Sequence, residues 1–267
     1  MEHVRSEAAR VLLYIGVDGS YPFESIDGVL FNSDTLVRFP PGQGGDYVIP
    51  DDAWYIKDFA FEDCANIKSL KIGERTHDIG VHTFVGCKNL KSFSVSRDNW
   101  NYKVSDGVLF DDTMSTLIRF PCGKGGNYTV PKKIWEIEEY AFEGSESLES
   151  IMIPASVRRI NEGAFNGCSK LQFVGYKGDY DPAFYSFSDN TFFDGCSELE
   201  EVCVPPDYSS DSFCGFTNLT RSCLSSDSSA TSSHKNSELN QPSGSQPLGH
   251  FSYPLLAMVI VAALATI

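Results

Sequence analysis

Basic clusters are missing from this chain. Its 21 Lys and Arg are outnumbered by 36 Asp and Glu, for a formal charge of -15 over 267 residues. Nucleic-acid binding needs grouped cations that displace phosphate counterions, so that class of partner is excluded. The chain contains no C-x-x-C, no H-E-x-x-H, no G-x-S-x-G and no complete G-x-x-x-x-G-K-[ST]. Zinc sites, zinc proteases, serine hydrolases and phosphate-loop NTPases are thereby left without their usual ligand or nucleophile spacing, and no cofactor is implied. Its five His read as solvated turn residues, and acidic pairs such as Glu138-Glu139 and Glu200-Glu201 read as solvated faces. Nothing assembles a nucleophile, a base and an oxyanion site, so the expectation is a protein that is not an enzyme.

Long apolar runs are scarce as well. Near the start only "VLLYIGV" (11–17) is apolar, with no small-residue cleavage site at a suitable distance, so no signal peptide is visible. At the other end Leu255 to Ile267 gives 13 residues, short of the roughly 20 that span a bilayer.

What is present is repetition. "AFEDCANIKSLKI" (60–72), "TFVGCKNLKSFSV" (83–95), "AFEGSESLESIMI" (141–153), "AFNGCSKLQFVGY" (164–176) and "FFDGCSELEEVCV" (192–204) share [AT]-F-x-x-[CS]-x-x-L-x-x-hydrophobic-x-hydrophobic, with Phe in place of Ala or Thr in the last. The last column falls at 49, 72 and 95, then at 130, 153 and 176, in steps of 23, with a final step of 28 to 204. A short hydrophobic period of this kind is one coil of a solenoid, whose apolar columns bury only against the coils above and below. Phe61, Phe84, Phe142, Phe165 and Phe193 should form one wall of the core. The L-x-x-hydrophobic-x-hydrophobic hexad should form the opposite strand. Pro50, Pro131, Pro154 and Pro205, lacking an N–H for a continuing ladder, should turn the chain at a corner.

"IPASVRRINEGAFNGCSKLQFV" (153–174) closely resembles the consensus of the BspA-like, or Treponema pallidum type, leucine-rich repeats, and the resemblance runs over roughly residues 11–205. It implies a surface or secreted protein that binds other proteins, matrix or cells.

A longer unit is also written twice, as "DGVLFNSDTLVRFPPGQGGDYVIP" (27–50) and "DGVLFDDTMSTLIRFPCGKGGNYTVP" (106–131). In each, two β-rich runs flank a polar turn and a Gly-rich segment returns the chain to the solenoid, which predicts a β-hairpin inserted between coils. The fold expected is a β-rich leucine-rich repeat solenoid over 1–206 with irregular or 3-10 convex segments and hairpin insertions at about 22–47 and 101–128. The first coil lacks an A-F-x-x-C, and the array reads as one continuing upstream.

Four Cys, at 64, 87, 168 and 196, occupy one repeat column in which Ser145 substitutes once, so the column asks for a small, weakly polar core residue. Cys203, Cys214 and Cys223 follow the last coil, where a disulfide could close a C-terminal cap (207–224). Cys214 to Cys223 is the pairing favoured, with Cys203 as an alternative partner. Cys122 lies in a hairpin turn and reads as a free thiol. Residues 225–250 are rich in Ser and too polar to fold, which makes them a flexible stalk. Residues 251–267 form a hydrophobic anchor signal, and "SGS" (243–245) followed by a short spacer and the apolar tail fits a glycosylphosphatidylinositol signal attached at Ser243. A spanning tail is the other reading. Asn127 and Asn218 stand in glycosylation tripeptides.

These features predict a cell-surface, lipid-anchored adhesion or recognition module whose concave strand face binds a protein or glycan on another cell, a host or a matrix. The candidate contacts are Ser69, Lys71, Ser92, Ser94, Ser150, Met152, Phe173 and Glu201. Phe173 stands in a column otherwise Ser or Glu, either exposed as an anchor or packed under "KGDYDPAFYSFSD". The alternative function is a structural surface coat with no ligand site.

Overall fold

The computed structural model describes residues 11–13, 23–183 and 192–221. Ser243, the 225–250 stalk and the 251–267 tail lie outside them, as does Cys223. No helix is found among the described residues, so the convex segments are turns, and none of them could cross a membrane as a helix.

Each coil has two rungs. The hexads form the long rung: β5 (Gly45–Val48), β7 (Ile67–Ile72) and β9 (Ser92–Val95) pair in parallel. So do β13 (Gly126–Thr129), β15 (Leu148–Ile153), β17 (Phe173–Tyr176), β18 (Glu201–Cys203) and β19 (Leu219–Thr220). The 23-residue period puts equivalent residues in register, Leu70 beside Phe93 and Ile151 beside Val174. A two-residue rung follows the corners at Pro50, Gly73, Pro131 and Pro154, at β6 (Tyr55–Ile56), β8 (Asp78–Ile79), β14 (Glu136–Ile137) and β16 (Arg159–Ile160), with parallel pairing again.

The core lies between the rungs. Phe39, Phe61 and Phe84 stack with ring centroids 5.1 and 5.6 Å apart, and Phe120, Phe142, Phe165 and Phe193 continue at 5.0, 5.1 and 5.1 Å. Phe39 and Phe120 belong to no A-F-x-x-C copy. They come from the "RFP" within each duplicated segment, which gives the coils ending at Ile49 and Val130 their wall; the expected coil ending at Ile15 is instead represented by an antiparallel strand, Val11–Leu13.

The insertions are larger than hairpins. β2 (Phe23–Ile26), β3 (Val29–Asn32) and β4 (Thr35–Arg38) form an antiparallel meander, and β4 then pairs in parallel with β6 as the first short rung. β10 (Tyr102–Ser105), β11 (Val108–Asp111) and β12 (Thr116–Arg119) repeat this against β14. The outer strand β1 (Val11–Leu13) pairs with β2. Asp27-Gly28 and Asp106-Gly107 make two-residue turns with φ of +50° and +83°, and +50° and +74°. This is the primed geometry that matches strand twist and favours Asp-Gly.

The two copies are used differently. In β3 only Val29 and Phe31 are fully buried, whereas Val108, Leu109 and Phe110 of β11 all are. Leu109 joins the core around Phe61 and Phe84, while Val108 and Phe110 join that around Phe142 and Phe165. The second meander is therefore a wedge with both faces buried, fusing two capped blocks of coils.

Candidate recognition surface

Alternation along a strand leaves one face of the long rungs to solvent. Parallel register then assembles the outward residues into rows. Asp46, Ser69 and Ser92 form one row and Val48, Lys71 and Ser94 the next. After the wedge, Asn127, Ser150, Phe173 and Glu201 align, beside Thr129, Met152, Gly175 and Cys203, the last two of which are buried. All eight predicted contacts stand on this face, four of them in the second block, with Ser150, Phe173 and Glu201 in one row and Met152 in the other. Asp46, Val48, Asn127 and Thr129 were missed as contacts, because "DYVIP" and "NYTVP" lack the Leu column that marks a hexad. Their period-2 alternation is the signal that finds them.

The first block is polar, with Ser69 Oγ donating to Asp46 Oδ1 at 2.8 Å; Val48, 57% exposed, is the exception. The second block begins the same way, Ser150 Oγ donating to Asn127 Oδ1 at 2.8 Å, but then turns apolar. A Cβ placed on Gly175 would stand 2.5 Å from Met152 Sδ and 3.1 Å from Phe173 Cε1, so both side chains lie across the glycine. Phe173 is half-buried by this contact. The result is an apolar tile set between Ser150 and Glu201. Asn127, a glycosylation candidate, is exposed on the same face; Asn218 is exposed and donates from Nδ2 to Glu200 O.

Three sequence expectations are corrected. His82 is not a solvated turn residue: it is half-buried, its Nδ1 lies 2.7 Å from Glu143 Oε1, and its ring sits between Phe59 (5.0 Å) and Tyr140 (4.1 Å). Glu138 is likewise partly buried rather than solvated, and burial together with Glu136 holds its carboxyl above the usual range. The Cys214 to Cys223 bridge is also wrong. Cys214 is a free thiol buried beside Tyr176 and Phe213 in the terminal core, whereas Cys203 is disulfide-bonded.

The thiol column is structural. Cys64, Cys87, Cys168 and Cys196 are free, and each Sγ donates to the carbonyl of the previous coil's Phe. Cys122 does the same to Phe84, so it belongs to this column and not to an open turn. Burial pushes Cys64 up to about 11 and Cys122 up to about 12, far from the thiolate that chemistry requires.

The family model described as the BspA type leucine-rich repeat region matches six copies, over residues 46–124 and 120–235. The chain belongs to the BspA-type leucine-rich repeat family. No curated protein matches this BspA-type chain. Among solved structures it is similar to a leucine-rich repeat protein of Eubacterium ventriosum (20% identity, 66% of this chain and 54% of that one, TM-score 0.46). A leucine-rich cell surface protein of Faecalibacterium prausnitzii is comparable (23%, 66% and 53%, TM-score 0.46). So is a Treponema pallidum leucine-rich repeat protein (21%, 64% and 64%, TM-score 0.32). The chain spans about half the length of the first two. Its repeat scaffold is that of an interaction or surface module.

Proposed function

We propose that this BspA-type protein is a non-catalytic recognition module, held at the outer face of a cell by its C-terminal signal, that binds a protein on another cell, a host or a matrix through the long-strand face. The observation that carries the reading is the Met152 and Phe173 tile over Gly175. An apolar patch ringed by Ser150, Asn127 and Glu201 has the layout of a small interface centre with a polar rim. A solenoid suits the task because its rigid strands lose little entropy when a partner docks.

The reading is tested in two steps. The full chain, given a secretion leader, is expressed in eukaryotic cells and treated with phosphatidylinositol-specific phospholipase C; release into the medium is expected, and an intracellular product would sink the surface reading. The released protein is then bound to immobilised matrix proteins and to intact cells. The double substitution Met152→Ser, Phe173→Ser should abolish a saturable signal that Lys71→Ser and Ser94→Ala leave in place. Equal binding by the double variant would move the contact elsewhere.

A further inference from the structure

All three tryptophans of the chain are exposed, although an indole is normally among the more buried side chains. Trp54 rests against His77 and Trp135 lies under the Arg159 guanidinium, at 42% and 44% exposure. Trp100 is 85% exposed, in the corner between β9 and β10.

Its backbone is pinned on both sides. The neighbouring Asn99 donates from Nδ2 to Gly73 O (2.7 Å) and Thr76 O (2.9 Å), and its Oδ1 accepts from the N–H of Asn101 (2.9 Å) and of Tyr102 (3.0 Å). Tyr102 is itself buried. The coil below and the meander above therefore hold the turn that carries the indole. A large apolar ring kept in water on a fixed turn is preorganised, so little ordering cost remains for a ligand.

The ring borders an open cleft of about 290 Å³ shared with Arg97, Asp98, Asn99, Lys103 and Asp112. That volume is at the small end of ligand sites and suits one or two sugar rings. Two cations and two carboxylates cancel, so the cleft selects neither an anion nor a cation. Beyond the indole, the lining is all charged or amide, with no second apolar side chain to extend the ring into the buried centre of a protein interface. One flat apolar face beside closely spaced donors and acceptors matches a sugar ring, whose C–H face is apolar and whose hydroxyls both donate and accept.

We infer that Trp100 is the platform of a saccharide-binding site, with the ring of a neutral sugar stacked on the indole and its hydroxyls bonded by Arg97, Asp98 and Asp112. This site is independent of the long-strand face.

The test uses the released full chain on an array of neutral and acidic glycans, followed by titration of its best neutral hit, and of the N-acetylglucosamine trisaccharide, against tryptophan fluorescence. A neutral glycan should bind, and Trp100→Ala should weaken it at least about tenfold, the scale of losing one stacking surface. Trp54→Ala and the Met152→Ser, Phe173→Ser variant should bind as the parent does, and circular dichroism should show Trp100→Ala folded. No retained neutral glycan, retention of sulfated glycans alone with loss at moderate salt, or unchanged binding by Trp100→Ala would each overturn the assignment. Loss in the Met152, Phe173 variant would place the sugar on the long-strand face instead, which also overturns it.

Discussion

The thiol of Cys87 donates to the carbonyl of Phe61, 3.0 Å away in the preceding coil. The same bond recurs from Cys122 to Phe84 (3.2 Å), from Cys168 to Phe142 (3.2 Å) and from Cys196 to Phe165 (3.1 Å). Ser145 occupies the column between Cys122 and Cys168, fully buried, and its Oγ finds no hydrogen-bond partner among the described residues. A hydroxyl oxygen sits closer to its Cβ than a sulfur does, and it falls short of the coil below.

Ser145→Cys should therefore stabilise the protein. Removing an unsatisfied buried hydroxyl and restoring the bond is worth on the order of 1 kcal/mol, or about 2–4 °C in Tm for a domain of this size. Cys87→Ser should cost a similar amount. Thermal melts of both variants check the pair, and a lower Tm for Ser145→Cys would show the site too tight for sulfur.

Gly42 and Gly123 occupy the same place in the duplicated segment. A Cβ on Gly42 would meet nothing within 4 Å, whereas one on Gly123 would lie 2.6–2.8 Å from the backbone of Lys88, Asn89 and Leu90. The Gly123 N–H also donates to Leu90 O at 2.8 Å. Gly42→Ala is expected within about 0.5 kcal/mol of the parent. Gly123→Ala should lose about 2 kcal/mol or more by prying the second meander from the first block. Urea unfolding midpoints of the two variants decide it.

Among the free cysteines described, Cys196 should be the reactive one. A hydrogen bond with Cys168 holds its thiol below the usual range and it is only partly buried, while burial drives Cys168 well up. Iodoacetamide at neutral pH should modify Cys196 in the native protein and reach Cys64, Cys87, Cys122, Cys168 and Cys214 only after unfolding. Peptide mass mapping gives the order, and early labelling of Cys87 would contradict the buried column.

Burial holds the Glu143 carboxyl above the usual range despite the hydrogen bond from His82 and the nearby Arg119 charge. The folded state thus binds this proton more tightly than the unfolded chain. Its contribution is full below the ordinary carboxylate pKa and is lost as pH rises through the folded value. Glu143→Gln stays neutral, so its stability should decline less than the parent's between about pH 4 and pH 6. Parallel decline in urea midpoints would mean that the pair with His82 keeps Glu143 ionised.

Repeat columns were legible because each coil answers to its neighbours in the same way. Five phenylalanines, the hexad strands and the corner prolines could be placed from a 23-residue period alone, as could the outward positions Ser69, Lys71, Ser150 and Met152. Only the polar turn of each duplicated segment was expected from the sequence; the Asp-Gly turns ahead of it, which add a third strand, were missed. Pairings that cross the period were harder to read. Phe39 and Phe120 complete the ring stacks from outside the motif, and His82 reaches Glu143 across 61 residues. In the terminal cap, spacing between cysteines did not disclose that Cys214 is a free thiol within the core while Cys203 is disulfide-bonded.

The sequence by itself determined a solenoid of 23-residue coils with a duplicated β-rich insertion, because apolar periodicity and register follow from the chain. Only the tertiary structure decided what each copy of the insertion does. "GVLF" buries one face of β3 but both faces of β11, Gly42 is open where Gly123 is hemmed in, and Cys122 enters a thiol column in the place where Pro41 is exposed. The residues are nearly the same in both copies. Among the described residues the second copy packs on the coil of Phe84 and Leu90, and its burial depends on that neighbour.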